Sequence, residues 1–194
     1  MKILLSVILT LAALLLIFLV FIYSGWYDVS AMNEESGIMK WVLNTTKEKS
    51  IESRSKDISV PELNDSMMIK EGFEHYDAMC SSCHGAPGQN QTELSKDLNP
   101  PAPYLVEHAK EMDPRELFWV TKNGIKMTGM PAWGKTHTDE QIWNIVAFMK
   151  KLPEISAEEY EKIGNNSSMM DEGQEQQNAS NNHERSHSVG DHHH

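Results

Sequence analysis

The run Cys80-Ser81-Ser82-Cys83-His84 constrains this chain more than any other stretch. On a helix the two thiols and the imidazole occupy positions i, i+3 and i+4 and share one face. C-x-x-C-H at this spacing is the attachment signature of a c-type haem. The thiols add to the vinyl groups as thioethers, and the adjacent histidine supplies an axial nitrogen to iron. These are the only two cysteines in the chain, so attachment leaves no thiol for a disulfide. A thioredoxin-like redox pair would sit in a βαβ pattern, and none surrounds this one. A cysteine-rich zinc site would need a second pair of thiols, which the chain lacks.

The start of the chain speaks to compartment. From Ile3 to Tyr23 it is Leu, Ile, Val, Ala and Phe, interrupted only by Ser6 and Thr10. As a helix this run reaches about 31 Å, at 1.5 Å per residue, against a hydrocarbon core of ~30 Å. Signal peptides carry a shorter apolar core, and the small-residue run Val29-Ser30-Ala31 lies well beyond the apolar stretch. An uncleaved single-pass anchor over residues 3–23 is therefore expected. Tyr23, Trp26 and Tyr27 suit a membrane interface. Lys2 precedes the run, and Asp28, Glu34 and Glu35 follow it. The positive-inside rule then puts the rest of the chain on the periplasmic, extracytoplasmic side. A net charge of -11 argues against nucleic acid as a partner.

Composition divides the chain into an anchor at 1–23, a linker at 24–64, a compact domain at 65–160 and a polar tail at 161–194. In the linker, Trp41, Val42 and Leu43 suggest a short helix, and Val60-Pro61 breaks any helix there. The compact domain opens with an apolar stripe through Ile69, Gly72, Phe73, Tyr76 and Cys80, the spacing of a helix face, with Asp65 or Ser66 as its N-cap. Asp113, Pro114 and Glu116 start another helix and Gly124 ends it. Thr138 and Gln141 form a capping box ahead of a mostly apolar helix from Ile142 to Leu152. No segment alternates with period two, so the fold class is all-α, with three to five helices in the domain. From residue 164 the chain is Asn, Ser, Gln, Glu and Gly, the composition of a disordered tail. His183, His187, His192, His193 and His194 are either solvated or weak metal chelators.

Two loops complete the candidate site. Asn99-Pro100-Pro101-Ala102-Pro103-Tyr104-Leu105 is stiffened by its prolines. Such a loop is expected to lie against the cofactor through Pro103 and Tyr104. One of Pro100, Pro101 or Pro103 would offer a carbonyl to the His84 ring, which orients a ligating imidazole. Thr128-Gly129-Met130-Pro131-Ala132-Trp133-Gly134 is a second rigid, non-helical loop, between two helices.

In order, Gly72-x-x-x-Tyr76-x-x-x-Cys80-x-x-Cys83-His84-Gly85, Gly129-Met130-Pro131-Ala132 and Ile142-Trp143-x-x-Val146-Ala147-Phe148 resemble the membrane-anchored class I monohaem c-type cytochromes of bacteria. The resemblance covers residues 68–153. It implies that the first and last helices of the domain cross at Gly72, with Trp143 and Phe148 as packing aromatics. It also implies one covalent haem c on Cys80 and Cys83, with His84 and Met130 as axial iron ligands. Met127 is the nearest rival to Met130. Met67, Met68, Met79 and Met149 fall on helical stripes, and His108 and His137 on polar loops. With both axial positions filled the protein is expected to carry single electrons between redox proteins in or at the membrane, and not to act as an enzyme. Lys122, Lys126 and Lys135 form a possible basic rim beside the Met130 loop. Two alternatives stand: a haem subunit of a larger dehydrogenase or oxidase, and a haem sensor or peroxidase if the methionine ligand is absent.

Overall fold

The computed structural model describes residues 1–33 and 36–165. Among them the structure is helical, and the one β pairing is an isolated bridge between Ala86 and Gln89. The chain divides into two compact units, Met1–Leu43 and Asn44–His194.

The first unit contains helix α1, Lys2–Tyr23. It is long and apolar enough to cross a membrane, and its N-terminal position also suits a signal sequence. The Thr10 hydroxyl donates to the Ser6 carbonyl at 2.9 Å and so is paired within the helix. Helix α2, Gly37–Ser55, begins in this unit.

The second unit begins within α2 and contains the compact core. Helix α3, Ser66–Met79, starts at Asp65, whose carboxylate accepts from the Met67 and Met68 amides. Helix α8, Asp139–Lys151, starts at the expected capping box of Thr138 and Gln141, and both of its reciprocal bonds are present. These two helices pack closely because Gly72 has no side chain. A Cβ there would lie 1.9 Å from the Asn144 carbonyl oxygen. Beside the crossing the Asn144 amide donates to Glu71 at 2.6 Å. Phe73, Tyr76, Ile142, Ile145, Val146 and Phe148 fill the space between them, with Phe73 and Phe148 edge to face at 5.5 Å. Residues 157–165 form a further helix that brings Tyr160 onto Phe73, with ring centroids 5.0 Å apart.

Between these long helices lie short ones. They are α4 (Ser81–His84), α5 (Glu93–Lys96), α6 (Leu105–His108) and the longer α7 (Pro114–Asn123). Among the described residues of 65–160, α3, α7 and α8 run ten residues or more, and α4, α5 and α6 are single turns. Asp113 caps α7, but its side chain accepts from Arg115 rather than completing a box with Glu116. Its carboxylate is held instead in a fork by the Arg115 guanidinium, with contacts of 2.6 to 3.2 Å. Lys150 reaches from α8 to the carbonyls of Ala109, Lys110 and Met112 at 2.5 to 3.0 Å and ties down the turn after α6.

The 24–64 stretch is more structured than a solvated spacer. Its helix spans 19 residues and is longer than the short helix expected. Ser55 is buried, Ile58 and Leu63 pack against the core, and Arg115 donates to the Lys56 carbonyl at 3.3 Å. Apolar residues placed singly in a polar stretch carry too weak a period to reveal this docking. The tail histidines His183, His187, His192, His193 and His194 lie outside the described residues.

Candidate cofactor site

The C-x-x-C-H motif occupies the junction of α3 and α4. Cys80 ends one helix and starts the next, yet hydrogen bonding runs on through it. The Cys83 and His84 amides both donate to the Cys80 carbonyl, at 3.1 and 2.8 Å, and the Gly85 amide to Ser81 at 2.8 Å. The i, i+3, i+4 relation of Cys80, Cys83 and His84 therefore holds in three dimensions. Cys80 is buried, and burial pushes its free thiol up to about 12, so before haem is attached it is neutral at ordinary pH. Cys83 is half-buried, and neither cysteine is in a disulfide.

His84 is oriented from behind. Its Nδ1 lies 2.9 Å from the Pro103 carbonyl oxygen, so among the three candidate prolines it is Pro103 that makes the bond. An Nδ1–H donor to that carbonyl leaves Nε2 as the lone-pair nitrogen. Burial depresses the imidazole below its usual value, and the Pro103 carbonyl opposes the shift. Burial is the larger effect and favours a neutral ring, the form that ligates metal. Tyr104 packs on the far side of the motif. Gly85 has φ +78°, and a Cβ there would lie 2.1 Å from the Tyr104 ring, so only glycine lets the two meet.

Residues outside the motif cradle it. Tyr76, fully buried, donates its hydroxyl to the Gly85 carbonyl at 2.7 Å. Gln91 donates to the carbonyls of Cys83 and Ala102, at 2.8 and 2.9 Å. Ser95 donates to Cys83 at 2.6 Å and Thr92 to Ser82 at 2.8 Å. Gln91, Thr92 and Ser95 carry no motif that sequence reasoning detects. Their one signal is the Thr92-x-x-Ser95 start of α5, where Thr92 caps the Ser95 amide. They satisfy the carbonyls that the α4 terminus leaves over.

The Met130 loop is fixed by its ends. Gly124, with φ +65°, closes α7 so tightly that a Cβ would meet the Met130 oxygen at 2.8 Å. The Ile125 amide donates to that same oxygen at 3.2 Å, and the Met130 amide donates to the Thr128 hydroxyl at 3.2 Å. Met130 is half-buried. Met127 is 99 % exposed and has a positive φ of 59°. Met149 is a core residue and Met67 is exposed. His108 is exposed. His137 lies against His75 and Trp133, with ring centroids at 5.1 and 5.5 Å. Of the three rim lysines, Lys122 pairs with Asp139 at 2.6 Å and lies over the Phe118 ring, while Lys126 and Lys135 stay exposed.

This arrangement suits a macrocycle held at one edge: two thiols and an oriented imidazole on one turn, braced by a buried tyrosine and a rigid proline loop. An all-helical domain with such a site is a c-type cytochrome domain. Residues 68–149 match the family described as cytochrome c oxidase, cbb3-type, subunit III, and the match supports a c-type cytochrome domain over that stretch. The cofactor of such a domain is covalently bound haem c, and its role is haem-based electron transfer. No curated protein matches the chain.

Proposed function

We propose that this protein is a one-electron carrier tethered to the membrane by α1, its haem domain on the extracytoplasmic side, passing electrons between redox proteins. Cys80 and Cys83 would hold the haem by thioether bonds, and His84 and Met130 would bind the iron. Bound haem supplies a metal centre that takes up and releases one electron. His84 acts through its Nε2, held in register by the Pro103 carbonyl. Met130 offers a soft thioether, which favours the reduced metal and raises the potential. The rigid loops around both ligands resist movement when charge changes, which suits electron transfer better than turnover of a substrate. The observation that carries this reading is the 2.9 Å contact from His84 Nδ1 to Pro103, which leaves one nitrogen of the ring for a metal.

The test is the absorption spectrum of the haem-matured protein in both oxidation states. A low-spin spectrum is expected, with a sulfur-to-iron band in the oxidised form that Met130→Ala abolishes and Met127→Ala leaves unchanged. A high-spin iron that takes up carbon monoxide would overturn it in favour of a sensor or peroxidase. The matched family's description favours a second reading, in which the domain is the haem subunit of a terminal oxidase. Purification from native membranes in mild detergent separates the two, because a subunit comes out with its partners.

A further inference from the structure

Large apolar side chains beyond Leu43 are mostly inside. The exposed ones among the described residues are Val60, Met67, Leu94 and Met127, scattered over the unit. The first two turns of α2 are different. Ile38, Met39, Trp41, Val42 and Leu43 are all exposed, Ile38 at 79 % and Trp41 at 67 %. At roughly 100° per residue these five cover an arc of about 200° centred on Val42, and Lys40 projects almost opposite. A cluster of this kind, unlike single exposed residues, marks a surface that something covers.

Charge and chain position say what covers it. In a chain of net charge -11, residues 36–47, between Glu35 and Glu48, hold Lys40 and Lys47 and no acid. The two lysines are attracted to anionic headgroups. The cluster belongs to the same unit as α1, and the connection from Tyr23 carries Trp26 and Tyr27, both exposed. A short apolar arc with a tryptophan, backed by lysine, is the pattern of a helix lying in the headgroup–acyl boundary.

We infer that Gly37–Leu43 of α2 is a second membrane contact, seated in the interface of an anionic bilayer. The inference rests on the proposed anchor and extends it. α1 holds the chain to the membrane, and the start of α2 brings it back to the surface before the haem domain begins. The helix is tilted, with its first turns in the interface, and from Ile38 to Lys49 it runs about 16 Å along its axis, which carries its second half into water.

The experiment uses the full-length, haem-matured protein in vesicles of phosphatidylcholine and phosphatidylglycerol. Haem attachment consumes both native thiols, so one introduced cysteine takes a nitroxide label uniquely. Labels at Ile38→Cys, Val42→Cys, Lys49→Cys and, as a marker of α1, Leu14→Cys are compared by collision with oxygen and with a water-soluble nickel complex. Nickel collision at residues 38 and 42 should be at least about threefold below that at 49, with oxygen collision raised, as for side chains ~5–10 Å below the headgroups. Equal nickel access at 38, 42 and 49 with residue 14 shielded would overturn the inference and leave the anchor standing. Nickel access at residue 14 would overturn the anchor and the inference with it. Shielding at 38 and 42 from both reagents, lost on dilution with lipid, would overturn it in favour of a second copy of the chain.

Discussion

Tyr76 shows how one side chain serves fold and site together. Its ring is fully buried and lies against Phe148, with centroids 5.3 Å apart. Its hydroxyl donates to the carbonyl of Gly85, the residue after His84. Burial raises the hydroxyl's pKa well above the usual phenol range, so it stays a donor at every physiological pH. Tyr76→Phe keeps the packing and strands a carbonyl, at a cost of about 1–3 kcal/mol. The expected result is a lower melting temperature for the haem-matured protein, read by circular dichroism. Asp113 acts at the surface. Hydrogen bonds from Arg115 hold its carboxylate below the usual range, so the ion pair contributes stability above that range and loses it as pH falls through the depressed value. Asp113→Asn keeps the N-cap and removes the charge. Its melting temperature should fall less than the parent's on acidification below pH ~4, measured by scanning calorimetry across that limb.

At the scale of elements, the decisive feature is the crossing of α3 and α8. The periodic stripe of Ile69, Gly72, Phe73 and Tyr76 already marked the buried face of α3. Gly72 reads as a gap in that apolar stripe, the resemblance puts a helix crossing there, and the contact with Asn144 shows the backbone that fills the gap. Gly72→Ala must push the helices apart, and overpacking of this kind costs about 3 kcal/mol. Denaturant unfolding of the matured protein should show the loss, while the haem spectrum of the remaining folded fraction stays unchanged. The helix starts were legible because capping is local: Asp65, Asp113 and Thr138 each cap as expected. The docking of Ile58 and Leu63 was not legible, because it depends on surfaces supplied from elsewhere in the domain.

At the scale of the whole molecule, the domain is small for a protein-only core, and a buried macrocycle would make up the difference. The double variant Cys80→Ala, Cys83→Ala, prepared without haem, should therefore melt without a cooperative transition in calorimetry. A sharp transition would show that the polypeptide core is sufficient alone. What the sequence determined by itself is local in origin: the attachment motif, the apolar helix at the start, the capped helices and the glycine and proline loops, each set by a few neighbouring residues. Tertiary structure decided which proline faces His84, which methionine is half-buried and which exposed, and that Gln91, Thr92 and Ser95 hold the motif's carbonyls. It also decided that Lys122 is paired with Asp139. The reason is physical. A backbone carbonyl accepts from any donor that the fold brings within reach, and a lysine pairs with any carboxylate placed beside it. Such meetings between residues far apart in the chain leave no period or spacing to read.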